Sequence, residues 1–392
     1  MVVLKRLLTN IYVFIYTIFL KFTYKPKKSD KVLIVVDGLI GDTILIQDFL
    51  KECDNYFQKQ KRLSVDIFFS KPFVKKFYLE CCDTYGFIVL EIDFAKKNAE
   101  LMDMLNVLRY FKNKEYEYIL NPLPKHKGDK LVGCIKGKYK YSVRDDLNIK
   151  GRGLSNLFRR IAYSETKTVP KTEMEFCRYK LLLNMAGDVG YRTALPQLKK
   201  NSPVVLGREK YCVFAVGASE IGKKWPLDRF VRVAKFVCNN YGIKIVFVGG
   251  VAESRDIQYI TNQIDEGCYI DFSGKTSYSE WVEIIREAVF VLGNDSASIH
   301  IAAATETPSV CVVGKWQYKR FYPYNTDINN KILPIPVFCR QTLECENCGK
   351  VLDLMPNKEC KATVKTQRSY KCLEAVEASR VEYIVKRVMD EI

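Results

Sequence analysis

The sequence predicts an α/β protein with parallel sheets, divided into two domains and preceded by an apolar helix. Three observations carry that prediction. Short apolar runs alternate with segments of helical periodicity, as where each strand is followed by a helix crossing back over the sheet. The alternation runs twice, interrupted by LPQLKKNSPVVLGREK (195–210), which reads as a linker. The 392 residues exceed what one ordinary core serves, and 48% hydrophobic with 27% charged residues is the balance of a folded protein.

The N-terminal segment LLTNIYVFIYTIFLKFTYKPKK is apolar from Ile11 to Leu20, with Lys5 and Arg6 before it and Lys21, Lys25, Lys27 and Lys28 after. It falls short of the roughly 20 apolar residues that span a bilayer. No small-residue cleavage site follows, as it would after a signal peptide. The segment reads as an amphipathic helix in the membrane interface, its lysines on anionic headgroups. The competing reading is a helix packed on the protein's own domain.

KVLIVV (31–36) is the first strand, followed by a glycine-containing loop. Ile46, Phe49, Leu50 and Cys53 then form one face of a helix, at i, i+3, i+4 and i+7. SVDIFF, GFIVLEI and YEYIL are further strands. From about 122 to 170 the pattern weakens into the Lys-rich stretch PLPKHKGDKLVGCIKGKYKYSVRDD. The second series opens with YCVFAV. Phe230, Val233, Ala234 and Val237 make a helix face, IKIVFVGG a strand, and Tyr278, Trp281, Val282 and Ile285 another face; VFVLG and SVCVVG follow. The predicted division is a membrane-interface helix and basic linker at 1–28, Rossmann-like domains at 29–200 and 201–375, and a C-terminal helix at 376–392. The two Rossmann-like domains are expected to face each other across a cleft.

The formal net charge of +17 calls for an anionic partner: nucleic acid, a membrane surface or a phosphorylated ligand. With no zinc finger, RNP-like motif or basic stripe interleaved with aromatics, nucleic acid is set aside. Most of the 14 cysteines lie singly in apolar segments (Cys53, Cys212, Cys238, Cys311) and read as small buried hydrophobes. Cys339, Cys345, Cys348, Cys360 and Cys372 cluster near the C-terminus. Their spacing is loose and lacks a second Cys-x-x-Cys, so reduced thiols or a redox-labile disulfide stand ahead of a metal site at Cys345, Cys348, Cys360 and Cys372.

In open parallel sheets ligands bind beyond the carboxyl ends of strands, so the loops that follow strands hold the chemistry. The first is DGLIGDT (37–43). Gly38 and Gly41 allow a tight turn and close backbone approach. The spacing is not that of a nicotinamide site. Asp42 is either a helix cap or a carboxylate placed to take a proton. The second loop is GASEIGKKWPLDRF (217–230), with Ser219, Lys223 and Lys224 ahead of a helix start that favours an anion. Either lysine neutralises a diphosphate there, or both are solvated. The third is GNDSASIHIAAATETPSV (293–310). Asn294, Asp295, Ser296 and Ser298 suit capping and phosphate oxygens equally, and His300 lies one turn after Ser296.

Taken together and in order, these loops resemble glycosyltransferase family 9, the ADP-heptose:lipopolysaccharide heptosyltransferase group. The matching stretches are VLIVVDGLIGDTILIQDFLKE, GASEIGKKWPLDRFVRVAKFV, IVFVGGVAESRD, FSGKTSYSEWVEIIREAVFVLGNDSASIHIAAATETPSVCVVG and KCLEAVEASRVEYIVKRV. The resemblance implies a GT-B fold and a metal-independent, inverting transfer that needs no cofactor beyond its nucleotide-diphosphate sugar donor. It implies Asp42 as general base, Ser219 and Lys223 on the leaving diphosphate with Lys224 beside them, and Asn294, Asp295, Ser296, Ala297 and His300 lining the donor pocket. Glu253 is implied toward the ribose or base. Ala297 departs from the family's glycine, and Ala218 from a common hydroxyl residue.

Lys125, Lys127 and Lys130 are expected to meet an anionic acceptor, a lipid-linked or lipopolysaccharide glycan. The implied setting is cytoplasmic, peripheral on the inner face of a bacterial cytoplasmic membrane. The alternative, motivated by Ala297 and Ala218, is a catalytically silent relative that binds a nucleotide sugar or scaffolds a glycan-assembly complex.

Overall fold

The structure is a computed structural model that describes residues 2–90, 100–123, 126–145, 153–170, 172–204, 209–315, 317, 319–328, 334–340 and 369–392. The chain forms two compact units, Met1–Ala194 and Leu195–Ile392.

Unit 1 contains, in order, α1 (Val2–Thr23), β1 (Lys31–Val36), α2 (Ile40–Leu45), α3 (Gln47–Cys53), β2 (Ser64–Phe69), α4 (Pro72–Cys81), β3 (Ile88–Val89), α5 (Glu100–Phe111), β4 (Glu115–Asn121), α6 (His126–Cys134), β5 (Lys136–Asp145), α7 (Gly153–Ala162), β6 (Glu165–Val169) and α8 (Glu175–Met185). The strands form a six-stranded sheet in the order β3-β2-β1-β4-β5-β6, every pairing parallel. Val32 to Val36 are all buried, as a strand covered on both faces requires. The predicted helix face Ile46, Phe49, Leu50 and Cys53 is wholly buried. α1 packs on α5, α6 and α7, with Thr9, Val13, Thr17 and Leu20 buried.

The weakly patterned region from 122 to 170 folds into α6, β5, α7 and β6. β5 hid because it alternates lysine with glycine and tyrosine (KGKYKYSVRD) rather than apolar with polar. Its Tyr139 and Tyr141 pack with Tyr118 of β4, ring centroids 5.3 and 6.4 Å away. β6 is an edge strand, ETKTV, with one apolar residue. GFIVLEI shortens to the edge strand Ile88–Val89 among the described residues.

Unit 2 contains β7 (Tyr211–Ala215), α9 (Leu227–Tyr241), β8 (Lys244–Phe247), α10 (Ser254–Thr261), β9 (Tyr269–Asp271), α11 (Tyr278–Arg286), β10 (Val291–Asn294), α12 (Ala297–Ala304), β11 (Ser309–Val312), β12 (Ile335–Val337), α13 (Lys371–Glu374) and α14 (Ala378–Asp390). Its six strands run in the order β12-β11-β10-β7-β8-β9, again all parallel. Phe230, Val233, Ala234 and Val237 of α9 are buried, and Val381, Val385 and Val388 of α14 belong to the same core. Arg232 forks onto Glu382 at 2.8 and 3.1 Å, fixing α14 to α9.

In both sheets the order reverses next to the first strand, between β1 and β4 and between β7 and β10. A crevice opens at such a point because the two flanking connections leave in opposite directions. The Asp42 loop follows β1, and the other two predicted loops follow β7 and β10.

Cys53, Cys212 and Cys311 are buried, and Cys372 and Cys339 lie in the unit 2 core. Cys345, Cys348, Cys360, Lys125 and the side chain of Lys127 lie outside the described residues.

Candidate functional site

Unit 2 builds its switch point around Asn294. Gly293 permits the close strand approach beneath it, since a Cβ there would lie 2.8 Å from the Ala215 carbonyl oxygen. Asn294 is fully buried; its Nδ2 donates to the Val216 carbonyl at 2.6 Å and its Oδ1 accepts from the Trp225 N–H at 2.8 Å. Trp225 is buried in turn, its Nε1 donating to the Val376 carbonyl at 2.9 Å. The intervening loop, with Ser219 exposed and Lys223 and Lys224 partly buried, is therefore held at both ends.

The two lysines part company. Lys223 Nζ lies 2.9 Å from Asp295 Oδ2, whereas Lys224 Nζ lies 2.6 Å from Asp256 Oδ2 on α10. Asp295 also accepts from Gln317 Nε2 at 2.5 Å and from Tyr322 Oη at 3.0 Å. Burial works to raise the Asp295 carboxyl, but the Lys223 ammonium, with His300 and the Gln317 amide, outweighs it and holds the group at about 2. Asp295 is thus a buried, ionised carboxylate. His300 stacks on Tyr322, ring centroids 5.5 Å apart, with Nε2 at 3.2 Å from Tyr322 Oη and Nδ1 at 2.5 Å from Tyr324 Oη. Burial pushes both tyrosine hydroxyls far up, so they stay protonated and can donate.

Gln317, Tyr322 and Tyr324 were missed in the sequence. They come from the irregular segment after β11, which is itself a loop beyond a strand's carboxyl end.

Ser296 is the N-cap of α12, yet its side chain makes no capping bond and its buried Oγ has no hydrogen-bond partner. Ala297 opens the helix. At the end of β8, Glu253 accepts from the Gly250 N–H at 2.8 Å and packs on Gly217, where a Cβ would lie 2.7 Å from its Cγ. Glu253 thus sits against the loop that follows β7.

In unit 1 Asp42 is the third residue of α2, not its N-cap, which is Leu39. The carboxylate folds back to accept from the Leu39 N–H at 2.7 Å. Gly38 makes room, since a Cβ there would lie 2.7 Å from Asp42 Cβ; Gly41 lies within the first turn. Sequence reasoning passed over Asp37 in the same loop. It is buried and accepts from Ser70 Oγ at 2.5 Å, Lys71 Nζ at 3.2 Å and the Gly128 N–H at 2.9 Å, tying the ends of β1, β2 and β4 together.

A second buried group stands beyond β4 and β5. Asp129 accepts from Arg144, from Arg159 Nε at 3.1 Å and from Tyr163 Oη at 2.8 Å. Neighbouring Lys130 is buried rather than presented on the surface.

The comparisons with known proteins agree with this architecture. The fold is of the GT-B class. The chain is similar to E. coli ADP-heptose lps heptosyltransferase II, with a TM-score of 0.62 and 16% identity over 92% of this chain and 99% of that one. It is equally similar to a family 9 glycosyl transferase from Veillonella parvula DSM 2008, with a TM-score of 0.64 and 16% identity over 92% of this chain and 97% of that one. The family model described as glycosyltransferase family 9 (heptosyltransferase) matches residues 104–348, and the chain belongs to this family. Among curated proteins it is 22% identical over 315 residues to lipopolysaccharide heptosyltransferase 1 of Campylobacter coli, spanning 71% of this chain and 92% of that protein. The chain is a glycosyltransferase, as the loop resemblance implied.

Proposed function

We propose that the chain transfers heptose, with inversion and without a metal, from ADP-heptose to a lipopolysaccharide-type, lipid-linked glycan at the cytoplasmic face of the bacterial cytoplasmic membrane. One observation carries the donor reading. Ser296 Oγ is buried without a partner at the N-terminus of α12, two residues from the Asn294 latch and next to the Lys223–Asp295 pair. A helix start with its hydroxyl unspent, beside a fixed ammonium, suits a diphosphate.

In this reading Lys223, Ser219, Ser296 and the first N–H groups of α12 hold the leaving diphosphate, and Lys224 adds positive charge at the rim. Asn294 and Asp295 position these groups, His300 lines the sugar side, and Glu253 faces the nucleoside. The acceptor hydroxyl oxygen bonds to the sugar C1 from the face opposite the phosphate. The C1–O bond to phosphate breaks, its electron pair leaves on the diphosphate, and the hydroxyl proton passes to the Asp42 carboxylate. A carboxylate of ordinary basicity serves because the proton leaves late, once C1 has taken oxocarbenium character. With Lys130 buried, Lys125 and Lys127 are left to serve the acceptor.

The test is transfer from ADP-heptose by wild type and by Asp42→Asn, with the anomeric configuration of the product read by NMR. Undiminished transfer by Asp42→Asn, or a retained configuration, overturns the mechanism.

A further inference from the structure

α1 presents two different faces. Thr9, Val13, Thr17 and Leu20, at i, i+4, i+8 and i+11, are buried against unit 1. The Thr17 hydroxyl is satisfied by the Val13 carbonyl at 2.7 Å. Gly133 of α6 lets the helices approach, since a Cβ there would lie 2.7 Å from Thr17 Oγ1. The helix is bolted to the domain.

The opposite stripe is Leu8, Ile11, Tyr12, Ile15, Phe19 and Phe22, between 41 and 84% exposed. Six large apolar side chains on one side of one helix are more than scattered surface hydrophobes. Among the described residues no helix is long and apolar enough to cross a membrane.

Charge is concentrated where the stripe ends. Lys25, Lys27 and Lys28 are exposed just beyond it. Beneath the last turn lies a cavity of about 240 Å³ lined by Lys21, Lys136, Lys138 and Lys140 together with Leu20 and Ile135. Glu117 lies 2.7 Å from Lys138 and Glu115 3.9 Å from Lys136, so ion pairs with β4 carboxylates answer two of these four lysines. Lys140 donates to the Val132 carbonyl at 3.0 Å, and burial lowers its ammonium to about 8, a state that a bound anion would relieve. Lys136 opens β5, whereas Asp42 follows the carboxyl end of parallel β1. The lysine cavity therefore stands at the opposite end of the sheet from the proposed catalytic loop.

We propose that α1 docks unit 1 onto an anionic phospholipid bilayer, with its exposed stripe at the acyl boundary and the lysine cavity receiving a lipid phosphodiester. Apolar burial and headgroup attraction are the two signals that together make peripheral binding stable. A second copy of the chain is disfavoured as the occupant, because two chains of net charge +17 repel and the same exposed lysines would meet one another at that face. The inference is independent of the donor site.

The test uses the full chain with phosphatidylcholine vesicles, with and without phosphatidylglycerol. Wild type is expected to sediment with the anionic vesicles. Ile15→Glu/Phe19→Glu should lower the bound fraction about tenfold or more, with unchanged melting temperature. Lys21→Glu/Lys136→Glu should remove the preference for phosphatidylglycerol. Should the glutamate pair unfold, Phe22→Ser, at the most exposed position of the stripe, is expected to show a smaller loss of binding. Wild-type binding by all three variants overturns the proposal, as does a wild-type dimer that Ile15→Glu/Phe19→Glu converts to monomer. ADP affinity, measured by calorimetry on the same variants, should not change, so failure here leaves the transfer reading standing.

Discussion

Lys223 Nζ and Asp295 Oδ2 lie 2.9 Å apart, each side chain less than 15% exposed. They join the loop after β7 to the loop after β10 across the switch point of unit 2. A buried pair of this kind adds little net stability while intact, because both charges were taken out of water to form it. Its value is positional: the ammonium cannot drift from the start of α12.

That pair sets a pH dependence. Asp295 titrates at about 2 when folded, against 3.8 in its ordinary state. A depressed carboxyl contributes stability that is complete above the unfolded value and is lost as pH falls from about 4 toward 2, here on the order of 2 kcal/mol. Asp295→Asn should flatten that acid limb in thermal unfolding. At neutral pH it should also destabilise the protein by about 3 kcal/mol, because Lys223 is left buried without its counter-charge.

The two adjacent lysines should behave differently toward nucleotide. Lys223→Ala removes the positioned ammonium, and ADP affinity should fall by about tenfold to a hundredfold, the worth of a charge-assisted hydrogen bond. Lys224→Ala breaks the pair with Asp256 on α10 and should change ADP affinity by less than about threefold. Isothermal calorimetry on the two variants decides it; equal losses would show that the pairing does not divide their roles.

Replacing an N-cap serine normally costs about 1 kcal/mol of stability. Ser296 makes no capping bond, so Ser296→Ala should leave the melting temperature within a degree or so while weakening ADP binding. A clear drop in melting temperature with unchanged binding would mean that the hydroxyl caps the helix in solution.

Asp42 carries a structural bond and a proposed chemical one, and two substitutions separate them. Asp42→Asn keeps an oxygen for the Leu39 N–H, so stability should hold while transfer falls by about 10²- to 10⁴-fold. Asp42→Ala should lose transfer and also about 1 kcal/mol of stability. Equal transfer by Asp42→Asn and wild type excludes the base.

Much of this was legible in the residues. Fully buried parallel strands such as KVLIVV announce themselves, and helices with one apolar face follow by periodicity. β5 and β6 did not, because a Lys–Tyr strand and a threonine-rich edge strand carry no apolar alternation. Strand-end position was enough to place Asp42, Lys223, Asp295 and Ser296 in the connections after β1, β7 and β10, where the structure has them. It was not enough to separate Lys223 from Lys224, since one residue of spacing says nothing about which carboxylate each side chain meets. Tyr322 and Tyr324 escaped because their segment has no periodic pattern at all. The Asp37 and Asp129 centres escaped because their partners arrive from Lys71, Gly128, Arg144 and Arg159, far along the chain.

The Asn294 side chain holds the Val216 carbonyl and the Trp225 N–H with a single amide. The eight residues between those anchors, Gly217 to Lys224, therefore close a lariat whose neck is set by the sheet. Its interior is pinned as well, Lys223 by Asp295, Lys224 by Asp256 and Gly217 by the Glu253 side chain packed on it. A noose tied at the neck and at three points inside moves with the sheet as one piece, and substitutions at its exposed Ser219 change the surface it shows without shifting the knot.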